Sequence, residues 1–276
     1  MKQVEIKNMP ELPYAMEEAL NRLRININFL GEDIRKILVI STTPDEGKSF
    51  VAMQMWYQMA KSDTPSVLVD ADLRKSVMAD KYKIETLNHE KLKGTSHFLS
   101  GNYDIRNAVY SVYGSSAILP NTDNVVNPSL LIQSKKFETM LDTLAEDYRY
   151  VFVDSPPLDL VSDGERIGSL CDGAVLVLRS GVTSKRMVQN SINQLERAGC
   201  PLLGIVLNRV EGSKGRYYRK YGKYYGRYGK YYGRYGKYYG KYYGRYGKYY
   251  GKYYGKYGEY YSDYYGETKS SDEGEK

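Results

Sequence analysis

Short aliphatic runs recur along the first three quarters of the chain and alternate with longer stretches of helical periodicity. The runs lie at 36–41, 66–70, 117–119, 150–154, 173–178 and 202–208. Each is nearly continuous in Val, Ile and Leu, the pattern of strands buried on both faces. Helices are predicted at about 48–61, 134–147 and 183–198. Strand alternating with helix predicts an α/β fold, a mostly parallel sheet flanked by helices. Upstream, Met16, Leu20, Leu23, Ile27 and Leu30 recur at helical spacing, and Pro13 suits the start of that helix. Residues 1–35 therefore read as an arm and a helix, and residues 36–212 as the sheet domain.

From Gly212 the pattern stops. No aliphatic residue follows, glycine falls every three or four positions, and Gly-Lys-Tyr-Tyr-Gly-Arg-Tyr repeats with slips of register. This segment holds 23 of the 31 tyrosines. Without aliphatic side chains it cannot offset its chain entropy by burial, so residues 213–276 are predicted to be disordered. A solenoid is excluded for the same reason, since each repeat lacks an apolar face.

Charge divides the chain at the same place. The formal net charge is +7, but from Lys214 onward there are 16 Lys and Arg against 6 Asp and Glu, a net of +10. The remainder holds 24 against 27, a net of −3. Any attraction to nucleic acid or anionic membrane thus attaches to the tail alone. Cys171 and Cys200 are the only cysteines, with neither a disulfide framework nor zinc spacing, and His89 and His97 have no ligand cluster around them. The charged N-terminus is no signal peptide, and no apolar run approaches the roughly 20 residues that cross a bilayer. A soluble cytoplasmic protein is expected, one that could still dock to a membrane partner.

The chemistry concentrates at the strand ends. The first aliphatic run leads into Thr42-Thr43-Pro44-Asp45-Glu46-Gly47-Lys48-Ser49-Phe50, and a helix follows. This is the strand–loop–helix setting of a phosphate loop, and it makes the sheet P-loop NTPase-like. Thr43 to Phe50 would line the nucleotide. Gly47 admits close backbone approach, Lys48 would reach the β- and γ-phosphates, and Ser49 would ligate Mg²⁺. The dipole at the helix start adds to the attraction. A chance Gly-Lys-Ser at a helix start is the alternative. The second run ends Asp70-Ala-Asp72-Leu-Arg74, two carboxylates at the strand edge where parallel sheets bind ligands. The fourth ends in Asp154-Ser-Pro-Pro, which resembles a Walker B aspartate serving the same metal. Asp163 is as readily a helix cap as a site residue. Asn208, ending the last run, is either a purine contact or a turn residue.

Together, the phosphate loop, Asp70-x-Asp72-x-Arg74 and Asp154-x-Pro-Pro resemble the bacterial tyrosine kinases of capsular and exopolysaccharide synthesis. Asn127-Pro-Ser-Leu-Leu and the C-terminal tyrosine cluster extend the resemblance over nearly the whole chain. It implies an ATP- and Mg²⁺-dependent protein-tyrosine kinase, converting ATP and protein tyrosine to ADP and phosphotyrosine. Lys48, Asp70, Asp72 and Asp154 would be catalytic, with Asp70 activating the tyrosine hydroxyl. Ser49, Asp72 and Asp154 would hold the metal, and Arg74 and Asn208 would join the nucleotide site. Autophosphorylation would fall on Tyr242, Tyr243, Tyr246, Tyr249, Tyr250, Tyr253, Tyr254, Tyr257, Tyr260, Tyr261, Tyr264 and Tyr265.

The same resemblance implies a ring homo-oligomer, an octamer in the expected form, built through Glu18, Arg22, Arg24 and Asn26. Asn21 and Ile25 depart from the family's pattern there. It also implies a membrane-spanning activator or chain-length regulator, a tyrosine phosphatase, and no nucleic-acid partner. Partitioning or positioning ATPases on the same fold, with the tail binding nucleic acid or membrane, are the rival. They carry a signature lysine where this chain has Thr43. A non-enzymatic scaffold whose tyrosines stack on single strands is the second rival.

Overall fold

The computed structural model describes residues 2–101, 104–123 and 125–210. The tail and its candidate phosphoacceptors lie outside the described residues. Nine strands form one sheet in the order β4-β1-β5-β6-β3-β7-β2-β8-β9. Its centre is parallel: β2 (Lys36–Ser41), β3 (Ser66–Asp70), β6 (Ser116–Leu119), β7 (Tyr150–Asp154), β8 (Gly173–Arg179) and β9 (Leu202–Asn208). All six coincide with the aliphatic runs, and in the five strands other than β9 the reason is that a strand covered on both faces needs apolar side chains in both directions.

Side-chain alternation sorts these residues into two cores. Leu38, Ile40, Val67, Val69, Val151 and Val153 face one way. Ile37, Val39, Leu68, Tyr150 and Phe152 face the other. The second face is covered by α1 (Tyr14–Asn28), α2 (Lys48–Lys61) and α3 (Met78–Tyr82). Among the helices on the first face are α4 (Thr95–Ser100), α5 (Pro128–Gln133), α6 (Lys135–Asp147), α7 (Asp163–Gly168) and α8 (Lys185–Arg197). Helix α6 opens with the Ser134 hydroxyl accepting from the Phe137 amide at 3.2 Å, a standard N-cap.

Two features depart from the sequence expectation. The arm is not free of the sheet. Lys2–Ile6 is strand β1, pairing antiparallel with β4 (Ile84–Thr86) and parallel with β5 (Tyr110–Tyr113). Only Val4 and Ile6 of β1 are buried, and the polar Lys2, Gln3 and Glu5 around them hide it from an aliphatic search. Strand β9 is an edge, not a strand covered on both faces: Ile205 is 48 % and Leu207 53 % exposed. Among the described residues no helix is long and apolar enough to cross a membrane.

Candidate active site

Strand β2 ends at Ser41, and the chain turns through 42–47 into α2, whose first residue is Lys48. Gly47 caps the helix at φ +93°, and a Cβ there would lie 2.1 Å from the Asn208 side-chain nitrogen. Only glycine satisfies both conditions. The loop is braced from within. The buried Glu46 carboxylate accepts the Thr43 amide at 2.8 Å, the Arg179 amide at 3.2 Å and the Thr183 hydroxyl. Asn208 donates to the Glu46 carbonyl at 2.9 Å and accepts from the Arg209 amide at 2.8 Å. The Thr43 amide and the Glu46 side chain therefore hold the loop, where the motif alone would put them on the phosphate. Asn208 is seated on the loop as well. Pro44 and Asp45 stand exposed at the tip, and Asp45 has φ 61°.

Three carboxylates meet the start of α2. Asp70 and Asp154 end adjacent strands in register. They share a face with Leu68 and Phe152, two residues earlier on each strand, and so point toward α2. Asp72 reaches Lys48 Nζ at 3.3 Å through Oδ2 and accepts the Lys75 amide at 3.1 Å through Oδ1. Lys48 Nζ also lies 3.4 Å from the Ser49 hydroxyl, and Ser49 is close enough to Asp154 to favour its ionised form. Asp70 is held on both oxygens: Oδ1 accepts the Asp72 amide at 3.2 Å, and Oδ2 accepts the Ser76 hydroxyl. Nothing in the sequence marks Ser76, since a serine six residues past a strand end has no pattern of its own.

Electrostatics follow from the burial. Desolvation, and then the Asp154 charge, push the Asp70 carboxyl up to about 8 against an ordinary value of 3.8, with the Ser76 hydrogen bond opposing. Burial raises Asp154 too, while Lys48 and Ser49 pull it back. Burial would lower Lys48, but Asp154 and Asp72 outweigh it and its ammonium is raised. Three carboxylates around one lysine leave excess negative charge out of water, which is costly. Asp154 Oδ1 is buried without a hydrogen-bond partner among the described residues. Among those residues no group of three or more His, Cys, Asp or Glu is arranged to hold a metal alone. A nucleotide's Mg²⁺ takes most of its ligands from phosphate and water, so one hydroxyl and one or two carboxylates suffice. Ser49, Asp72 and Asp154 fit that ion, and the uncompensated charge and the orphaned oxygen are the reasons.

Arg74 turns from the carboxylates. Its Nε donates to Asp163 at 2.7 Å and its Nη2 to Ser129 at 2.8 Å, while the Ser129 hydroxyl donates to Asp163 at 2.6 Å. Asp163, 2 % exposed, is thus an anchor. It ties the loop after β3 to α5 and α7, where the motif alone would give Arg74 to the nucleotide. Phe50 lies under the Lys81 ammonium at 5.6 Å from its ring centroid. Glu18 and Arg24 are half-buried and Arg22 and Asn26 exposed on α1, which packs on α2 away from this cluster.

No protein-family model matches the chain. Tyrosine-protein kinase CpsD of Streptococcus pneumoniae serotype 4 is 35 % identical over 202 residues, 73 % of this chain and 87 % of that one. Tyrosine-protein kinase etk of Escherichia coli K12 is 32 % identical over 197 residues, 70 % of this chain and 26 % of that longer protein. The solved kinase domain of Escherichia coli ETK superposes with a TM-score of 0.64 at 25 % identity, over 76 % of this chain and 85 % of that domain. The septum site-determining protein MinD of Pyrococcus horikoshii, solved with Mg-ADP, has a TM-score of 0.55 at 18 % identity over 66 % of this chain and 72 % of its own. At that identity it shares the fold alone. The phosphate loop, the three strand-end carboxylates and this degree of identity lead to one conclusion: the chain belongs to the bacterial tyrosine-protein kinases.

Proposed function

We propose that this kinase binds Mg·ATP between α2 and the ends of β3 and β7. It would transfer the γ-phosphoryl group to tyrosines of the C-terminal segment, Tyr242 to Tyr265, in a neighbouring copy. The observation that supports this best is the placement of Lys48 and Ser49 opposite Asp70, Asp72 and Asp154 at a helix N-terminus. Lys48 exchanges its Asp72 contact for the β- and γ-phosphates. Ser49, Asp72 and Asp154 hold Mg²⁺, which offsets phosphate charge when bound. The tyrosine oxygen attacks γ-phosphorus, the bond to the bridging oxygen breaks, and ADP leaves. Asp70 takes the phenolic proton as that bond forms. A free phenol titrates near 10, so a carboxylate helps only as the proton departs, and Asp70, protonated to about pH 8 in the ligand-free site, would be ionised for this role by the charge of the bound Mg²⁺. Positioning and charge neutralisation supply most of the acceleration.

Length permits transfer in trans: the 64 residues after Gly212 are enough, when extended, to reach a neighbouring copy. The tail's positive charge would favour its approach to the acidic domain of that neighbour. A ring through Glu18, Arg22, Arg24 and Asn26 of α1 would bring each tail to a neighbour's site. About five to seven phosphotyrosines, each bringing about −1.5 to −2, would cancel the tail's charge of +10. Further modification would loosen the ring. A membrane-spanning activator and a tyrosine phosphatase complete the cycle, which would control capsular or extracellular polysaccharide export. Thr43 stands where the positioning ATPases have lysine, and this disfavours that reading.

The test mixes Lys48→Ala full-length chain with an active chain lacking residues 213–276, in Mg·ATP. Phosphotyrosine on the Lys48→Ala tail is expected. Its absence, with the active chain competent toward an added tyrosine peptide, would reject transfer in trans.

A further inference from the structure

Two buried polar atoms on the α2 face of the sheet lack partners among the described residues: the Tyr82 hydroxyl and Asp154 Oδ1. Each residue is 1 % exposed. An unpaired buried donor or acceptor costs about 1–3 kcal/mol, so a pair of them in one neighbourhood calls for a reason.

The neighbourhood is shared. Tyr82 closes α3 and belongs to the same apolar core, on the α2 face of the sheet, as Phe152. Asp154 follows Phe152 by two positions on the same face of β7. The next residue to Tyr82, Lys81, stands 5.6 Å over Phe50. Phe50 follows Lys48 and Ser49 at the start of α2, and Lys48 reaches the carboxylate cluster through Asp72 at 3.3 Å. The Tyr82 phenol is held above its ordinary range by burial and then by the Asp154 charge, so the two groups interact. One orphan is a donor that keeps its proton, and the other is an acceptor.

We propose that Tyr82 is a positioning residue for the metal site: with Mg·nucleotide bound, its hydroxyl donates to Asp154 Oδ1, directly or through one water, and fixes the carboxylate toward the metal. This rests on the Mg·nucleotide reading above. A neutral O–H is suited to the task. It orients a metal ligand without cancelling its charge, as a nearby ammonium would, and such outer partners commonly decide metal affinity. Position 82 carries no motif, so the sequence does not point to it.

The test follows the melting temperature of the full chain against Mg²⁺ at saturating ADP, for the wild type and Tyr82→Phe. The ring remains, so the core is kept. The ligand-free melting temperature is expected to equal or exceed that of the wild type, since only an unpaired hydroxyl is lost. The Mg²⁺ concentration giving half the shift is expected to rise about tenfold or more. In kinase assays KM for Mg·ATP should rise while kcat at saturating Mg²⁺ stays near wild type. Equal Mg²⁺ midpoints in the two proteins would overturn the proposal. So would a lower ligand-free melting temperature in the variant, because the hydroxyl would then be paired without the metal. A wild type with no Mg²⁺-dependent shift would overturn the Mg·nucleotide reading itself.

Discussion

Asp70 and Asp154 stand opposite each other at the ends of β3 and β7, in register across the parallel ladder, and each is 1 % exposed. Neighbouring strands lie about 4.8 Å apart, so two carboxyl groups are forced together out of water, where ionising both is costly. Lys48 and Asp72 occupy the same space. The ligand-free site is therefore electrostatically strained, and the strain has measurable consequences.

Asp70→Asn should abolish kinase activity and stabilise the ligand-free protein at high pH. The amide fits: its oxygen takes the Asp72 amide, its nitrogen faces Ser76, and the Ser76 hydroxyl turns to the Asn121 carbonyl at 3.1 Å. Folded Asp70 holds its proton to about pH 8, whereas the unfolded chain releases it near 3.8. A raised carboxylate stabilises the fold fully below the unfolded value, and that contribution is lost as pH rises to about 8. The variant escapes the loss. Its melting temperature should match wild type near pH 4 and exceed it increasingly toward pH 8, by about 2–4 °C per kcal/mol. Loss of the proposed base should lower kcat about 10²–10⁴-fold.

Gly47→Ala should disable nucleotide binding and destabilise the fold. The methyl group would meet Asn208 Nδ2, and the left-handed backbone is strained for alanine by about 1 kcal/mol or more. Adding Asn208→Ala removes the clash but not the strain, so the pair should be less destabilising than the sum of the single changes. Melting temperatures of the four proteins check this.

Glu46→Gln should also destabilise, although it keeps shape. Both carboxylate oxygens accept: one from the Thr43 amide, the other from the Arg179 amide and the Thr183 hydroxyl. A carboxamide must present N–H₂ to one of these donors. The expected loss is about 1–3 kcal/mol, read by denaturant unfolding, with a raised KM for Mg·ATP as the loop loosens.

Arg74→Lys should not rescue Arg74→Ala. The guanidinium reaches Asp163 and Ser129 with separate nitrogens, and a single ammonium cannot hold both. Both variants should lower kcat by loosening the loop that carries Asp72, with melting temperature reduced in each. A lysine variant with wild-type activity would contradict this.

The sequence determined the centre of this protein. Strands β2, β3, β7 and β8 are legible because burial on both faces demands unbroken aliphatic runs, and the gathering of Lys48, Asp70, Asp72 and Asp154 is legible because each stands at or shortly after the end of one of those strands. Tertiary structure decided what depends on distant partners. Strand β1 is a strand because β5 and β4 pair with it, although three of its five residues are exposed. Arg74 meets Asp163 across 89 positions, Glu46 turns inward to Arg179 and Thr183, and the chain after β3 brings Ser76 onto Asp70 and Tyr82 into the core on the α2 face. Local patterning records which faces are buried. Which polar groups then meet is set by packing between elements far apart in the chain, and periodicity carries no trace of it.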